Sequence, residues 1–80
     1  MHEVGLMQEI IAIAGQAASE ERLTKVTAVK LLIGERICVM PEALEFSFQC
    51  LRPGSMLEQA ELIWERCPGS DFYIEYIEGE

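Results

Sequence analysis

The spacing of apolar and polar residues along the chain predicts two helices. Apolar side chains recur at three- and four-residue steps over about residues 5–20, which predicts an amphipathic helix. A second helix is predicted over residues 41–51, because Pro41 suits the first helical position and a Pro-Gly pair follows the last apolar residue. A short extended start near Val4 is expected ahead of the first helix.

Three further segments have the composition and alternation typical of strands. They cover residues 25–33, 60–66 and 72–78. The last two flank a short turn that contains Pro and Gly, and they are therefore predicted to pair as a β-hairpin. The last strand is predicted to place three side chains on one face: Phe72, Ile74 and Tyr76. The predicted fold class is α+β, with two helices packed on one face of a small, mainly antiparallel three-stranded sheet.

Length and charge restrict the classes of function. Eighty residues predict one domain, residues 1–80. The formal net charge is −8, and residues 58–80 hold seven acids and one base. Such acidity argues against nucleic acid and anionic membranes as partners and is compatible with a cation or a basic protein. No apolar run approaches the ~20 residues of a membrane span, so a cytoplasmic protein is expected.

The cysteines and the single histidine limit the chemistry further. Cys38, Cys50 and Cys67 are odd in number and form no C-x-x-C pair, which favours a reducing compartment over a disulfide framework. Cys50 is expected in the core, and Cys67, before a Pro-Gly turn, at the surface. Without a second histidine or a clustered polar set, nucleophilic catalysis is not predicted, and the protein is not expected to be an enzyme.

The first residues carry the best candidate chemistry. Met1, His2 and Glu3 place an α-amine, the only histidine and a carboxylate within three positions. Imidazole suits nickel, copper and zinc, and a square-planar set rich in nitrogen suits Ni(II) or Cu(II). An α-amine and an imidazole both lose their protons near neutral pH. A solvated chain end explains the same residues without any metal.

Several segments together resemble a known family, the hydrogenase nickel-incorporation proteins (HypA/HybF). The matching stretches are Met1-His-Glu-Val4 with Leu6-Met7, Val26-Thr27 and Val29-Lys30, Leu32-Ile-Gly-Glu35, Val39-Met-Pro-Glu-Ala-Leu44 with Phe46 and Phe48, Gly54 and Ala60-Glu-Leu62. They follow the order of the family over about the first 65 residues.

The resemblance implies a nickel metallochaperone in the maturation of [NiFe] hydrogenase. One Ni(II) is expected at Met1, His2 and Glu3, held by the amine, the imidazole and nearby backbone nitrogens. It is expected to pass by ligand exchange to a nickel-inserting GTPase or to the hydrogenase large subunit. The family carries a zinc-ribbon insert with two C-x-x-C pairs, which this chain lacks near residues 66–70, so no zinc is expected.

A second interpretation belongs to another class of protein. Without the zinc ribbon, the chain is a binding or scaffold paralogue whose function lies in a protein–protein surface and not in a metal. The sheet edges of the predicted hairpin then pair with another chain. A homodimer or a domain-swapped oligomer gives so small a core additional stability.

Overall fold

A computed structural model of the chain describes residues 2–80. The elements, in chain order, are α1 His2–Glu20, β1 Val26–Gly34, α2 Pro41–Leu51, β2 Glu61–Cys67 and β3 Phe72–Gly79. The fold is α+β, as predicted, with both helices packed on the sheet. Neither helix in residues 2–80 combines the length and hydrophobicity needed to cross a bilayer.

The sheet is mixed, and its strand order differs from the prediction. The order is β2-β1-β3, with β1 parallel to β2 and antiparallel to β3. The prediction of a hairpin between β2 and β3 is therefore wrong. The short turn after Cys67 does not fold β3 back onto β2 but carries the chain across the end of β1. Gly34 lies under this crossing, and its N–H donates to the carbonyl of Asp71 at 2.6 Å.

The core lies between the helices and one face of the sheet. Leu44 and Phe48 of α2 belong to the same buried cluster as the inward residues of β1, of which Leu31 and Ile33 are fully buried. Four residues of α1 complete this core: Met7, Ile10, Ala14 and Ala18. These positions follow the predicted helical and strand periodicity.

Two predictions about individual side chains are wrong. Cys50 is exposed instead of buried, because α2 turns Leu44 and Phe48 inward and leaves Cys50 on the opposite side. Tyr76 is 40% exposed, whereas Ile77 packs against the core. A bulge causes the second error, since Leu31 pairs with Ile74 but Lys30 pairs with Tyr76, which leaves one extra residue on β3.

Candidate metal centre

The predicted metal motif lies in the first turn of a helix. Met1 is outside the described residues, and α1 begins at His2, so an extended start at Val4 is not observed. The first backbone N–H groups of a helix have no intrahelical partner. The backbone nitrogens of His2 and Glu3 are therefore not committed to the helix ladder.

Glu3 is the one buried carboxylate among the described residues, with 6% of its surface exposed. Its Oε2 accepts a hydrogen bond from the backbone N–H of Met40 at 3.3 Å. Hydrogen bonds from its own backbone N–H and from that of Met40 lower the pKa of the Glu3 carboxyl. Met40 is the residue that precedes α2, and its side chain caps nothing. The Glu3 side chain thus joins the start of α1 to the start of α2.

The His2 ring contacts the same short stretch of chain. Its Nε2 lies 3.4 Å from the carbonyl oxygen of Cys38. A carbonyl only accepts, so a neutral ring at this contact carries its hydrogen on Nε2 and its lone pair on Nδ1. Nδ1 is the ring nitrogen that closes a small chelate ring with the backbone nitrogen of the same residue. His2 itself is exposed.

The segment from Gly34 to Met40, called here the 34–40 segment, presents both contacts. Arg66 of β2 holds it from below by donating to three carbonyl oxygens, those of Gly34 at 2.9 Å, Ile37 at 3.3 Å and Val39 at 3.3 Å. The turn between β2 and β3 holds its beginning. There the N–H groups of Glu35 and Arg36 donate to the carbonyls of Cys67 and Gly69, at 2.7 Å and 2.9 Å.

Side chains alone do not form a metal site in the part of the chain that the structure describes. Residues 2–80 contain no group of three or more His, Cys, Asp or Glu side chains placed to hold one ion. Cys38 and Cys50 are exposed and Cys67 is half-buried, and all three are free thiols. A metal at the start of α1 therefore requires backbone nitrogens beside the His2 ring.

Sequence reasoning missed three residues that support this region. Cys38 and Met40 contribute backbone atoms, which carry no signature in the sequence. Arg66 lies on a strand and was counted only as a base, because its acceptors are carbonyls distant along the chain.

Comparison with known proteins identifies the family. A family model described as "Hydrogenase/urease nickel incorporation, metallochaperone, hypA" matches residues 1–72. The hydrogenase maturation factor HypA of Picosynechococcus sp. is 44% identical over 68 residues, which cover 85% of this chain and 60% of that protein. The HypA of Moorella thermoacetica is 31% identical over 113 aligned positions that span both chains in full.

Solved structures share the fold. The solution structure of the Ni metallochaperone HypA from Helicobacter pylori superposes with a TM-score of 0.81 at 18% identity, covering 99% of this chain and 97% of that one. A second HypA solution structure gives a TM-score of 0.63 at 20% identity, with 95% and 71% covered.

The family model and the fold agree on one class of protein, the family whose model is described as nickel-incorporation metallochaperones. The chain belongs to the HypA family, as the resemblance in its sequence indicated. It spans about 60% of the length of several curated relatives that it matches, including those of Picosynechococcus and Chloroflexus aurantiacus.

Proposed function

We propose that the chain binds one Ni(II) at Met1, His2 and Glu3 and donates it during the maturation of [NiFe] hydrogenase. The observation that carries the proposal is that the side chains of His2 and Glu3 make different contacts. The Glu3 carboxylate accepts the N–H of Met40, whereas the contact of His2 Nε2 with the Cys38 carbonyl leaves the lone pair of a neutral ring on Nδ1. The ligands are then the Met1 amine, backbone nitrogens and His2 Nδ1, a set rich in nitrogen that suits Ni(II).

Glu3 has two distinct roles in this proposal. Its side chain supports the site through Met40, and its backbone nitrogen is a ligand. Nickel binding at this nitrogen displaces its proton. Metal affinity should accordingly rise with pH, because each ligand nitrogen must lose its proton.

Donation proceeds by ligand exchange and requires no catalysed reaction. His2 is exposed, so a recipient can replace the ligands one at a time. The recipients proposed from the family are the nickel-inserting GTPase and the hydrogenase large subunit, in the cytoplasm. The description of the family also includes urease, which adds a second class of final recipient.

The proposed domain lacks the zinc ribbon, and we propose that it binds no zinc. The alignment with the Moorella protein spans 113 positions, whereas this chain has 80 residues, so that relative carries residues absent here. The turn between Cys67 and Phe72 is the proposed place of the missing insert. It connects β2 to β3 directly and is already bonded to the end of β1.

The scaffold interpretation has one observation in its favour. A groove of about 420 Å³ lies between α1 and β3, lined mainly by apolar side chains such as Leu6, Ile10 and Phe72. Ile13 and Tyr73 at this groove are 57% and 48% exposed. A protein partner or a second copy of the chain that covers it is the alternative function, and it does not require His2.

A nickel titration distinguishes the two functions. Untagged wild-type protein should bind one Ni(II) per chain by calorimetry at pH 7.5, and much more weakly at pH 5.5. The His2→Ala variant should lose this binding. Gln8→Ala, an exposed change on the same helix, is the matched control and should bind as the wild type does. Equal nickel binding by His2→Ala contradicts the metal proposal, and partner capture that survives His2→Ala favours the scaffold.

A further inference from the structure

We propose that Arg66 is a positioning residue for the nickel site, acting through the 34–40 segment. This inference rests on the proposed function, because it concerns the same site. Among residues 2–80, Arg66 is hydrogen-bonded to neither His2 nor Glu3. Its guanidinium donates to the carbonyls of Gly34, Ile37 and Val39, and these residues enclose the two that meet the metal motif.

The accepting carbonyls alternate with the residues that contact the motif. Ile37 and Val39 flank Cys38, whose carbonyl oxygen faces Nε2 of His2 at 3.4 Å. Val39 also precedes Met40, whose N–H donates to Glu3 at 3.3 Å. Rotation of either flanking peptide therefore moves an atom that orients a proposed ligand. Partners that orient metal ligands in this way set both the tautomer of a histidine and the affinity of the site.

The contact needs the shape of an arginine side chain. A guanidinium is planar and has five donors in a rigid fork, so Nη1 and Nη2 can serve three carbonyls at once. A lysine carries the same charge at one compact point and cannot reproduce this spacing. A glutamine side chain is also planar at its end, but it has a single NH₂ donor group and no charge.

Charge alone predicts the opposite outcome, which makes the inference testable. Arg66 is a cation near a proposed cation site, in a chain of net charge −8. Two cations repel each other, so by charge alone removing Arg66 should strengthen nickel binding. If Arg66 positions the 34–40 segment, its removal should weaken nickel binding instead.

The matched control is Arg52. This residue is also an arginine that donates to a backbone carbonyl, that of Ala60 at 2.9 Å, and to Gln49. It lies at the end of α2, away from the 34–40 segment. Arg52→Gln and Arg66→Gln remove the same charge. Any difference in nickel affinity between them is therefore due to where the arginine lies and not to the loss of charge.

The experiment is a nickel titration of untagged Arg66→Gln, Arg66→Lys and Arg52→Gln against the wild type. Arg66→Gln should bind Ni(II) about 10-fold more weakly. Arg66→Lys should lie between Arg66→Gln and wild type, and Arg52→Gln should be unchanged or slightly tighter. The visible absorption of bound Ni(II) should change in Arg66→Gln, because the His2 ring is no longer held in one orientation.

The metal-free protein gives a second, independent readout by NMR. The ¹⁵N shifts of the single His2 ring should move in Arg66→Gln and stay unchanged in Arg52→Gln. The indole signal of the single Trp64, which donates to Glu45 at 2.8 Å, reports an intact fold. If Arg66→Gln does not fold, the nickel titration and the His2 shifts of Arg66→Lys test the inference instead.

The outcomes separate this inference from the function beneath it. If His2→Ala binds nickel as well as the wild type, the proposed function fails, and the inference fails with it. If His2→Ala loses nickel while a folded Arg66→Gln binds as tightly as Arg52→Gln, only the inference about Arg66 is overturned. Weaker binding with an unchanged nickel spectrum and unchanged His2 shifts also overturns it, since that pattern indicates general destabilisation.

Discussion

The two segments that flank α2 are held in place in different ways. The segment after the helix, residues 52–60, is bonded largely within itself. Ser55 Oγ donates to the carbonyl of Arg52 at 2.8 Å and accepts from the N–H of Leu57 at 3.1 Å. The 34–40 segment has one internal backbone bond, from the N–H of Ile37 to the carbonyl of Gly34 at 3.0 Å. Its other partners lie in α1, α2, β2 and the turn before β3.

This difference separates local from distant control. A segment that bonds to itself keeps its conformation as long as its own residues are present. The 34–40 segment takes its conformation from Arg66, from the 67–71 turn and from Glu3. Changes in the turn between β2 and β3 can therefore reach the proposed metal motif through this segment, whereas changes in the 52–60 segment should not.

The largest effect is expected from Gly34→Ala. A Cβ at Gly34 would lie 2.5 Å from the carbonyl oxygen of Gly69 and 2.8 Å from backbone atoms of Asp71, none of which can move alone. We expect a loss of about 3 kcal/mol in the free energy of unfolding, measured by urea denaturation, together with weaker nickel binding.

Gly54→Ala is the matched change in the other segment. Gly54 has φ of +83° but nothing within 4 Å of its Cβ position. It should cost only about 1 kcal/mol, the price of a left-handed residue, and leave nickel binding intact. Equal stability losses in the two glycine variants would contradict the contrast between the segments.

An intermediate effect is expected from removing one polar side chain at each segment. Ser55→Ala should cost about 1 kcal/mol, because it removes two local hydrogen bonds, and nickel affinity should not change. Glu3→Gln should lower the melting temperature by a few degrees and also weaken nickel binding, since Met40 loses its charged acceptor. Thermal denaturation and nickel titration of both variants give the comparison. It fails if Ser55→Ala weakens nickel binding as much as Glu3→Gln does.

The smallest effect is expected at an ion pair that belongs to neither segment. Lys30 Nζ lies 2.8 Å from Glu65 and 3.3 Å from Glu75 across the sheet. The hydrogen bond and charge of Lys30 lower the pKa of Glu65 from its ordinary 4.5. The stabilisation that this ion pair gives is therefore complete above about pH 4.5, the ordinary pKa of Glu65. It is lost as the pH falls through the lower pKa that Glu65 has in the folded protein.

Glu65→Gln tests this pair. The stability difference from wild type should be small and reduced by salt, because the Glu65 side chain is 62% exposed. It should vanish at low pH in urea denaturation series, and nickel affinity should match the wild type throughout. A change in nickel affinity here would show that the site responds to any loss of stability and not specifically to the 34–40 segment.

The secondary structure was largely predictable, and the strand order was not. Periodicity placed all five elements, since burial of one face imposes a repeat on each helix and strand. The hairpin prediction failed because a short turn with Pro and Gly is compatible both with a hairpin and with a crossing over the end of β1. The exposed Tyr76 was mispredicted because a bulge in β3 depends on its pairing with Lys30.

The sequence pointed to the candidate ligand residues of the site but not to the residues that surround them. His2 and Glu3 stand out because the chain has one histidine and because they resemble the family motif. Their roles as ligands remain proposals. The burial of Glu3, the Cys38 carbonyl and the fork of Arg66 could not be predicted, since each depends on residues brought together from separate elements.

The sequence by itself determined the helices and strands, the acidic balance, the family and the unusual chemistry of the first residues. These properties depend on neighbouring residues or on composition, so they can be read along the chain. Only the tertiary structure decided that β1 lies between β2 and β3 and that Glu3 meets Met40, 37 positions away. The physical reason is that such contacts form when the helices and the sheet bury their apolar faces together, which local periodicity does not specify.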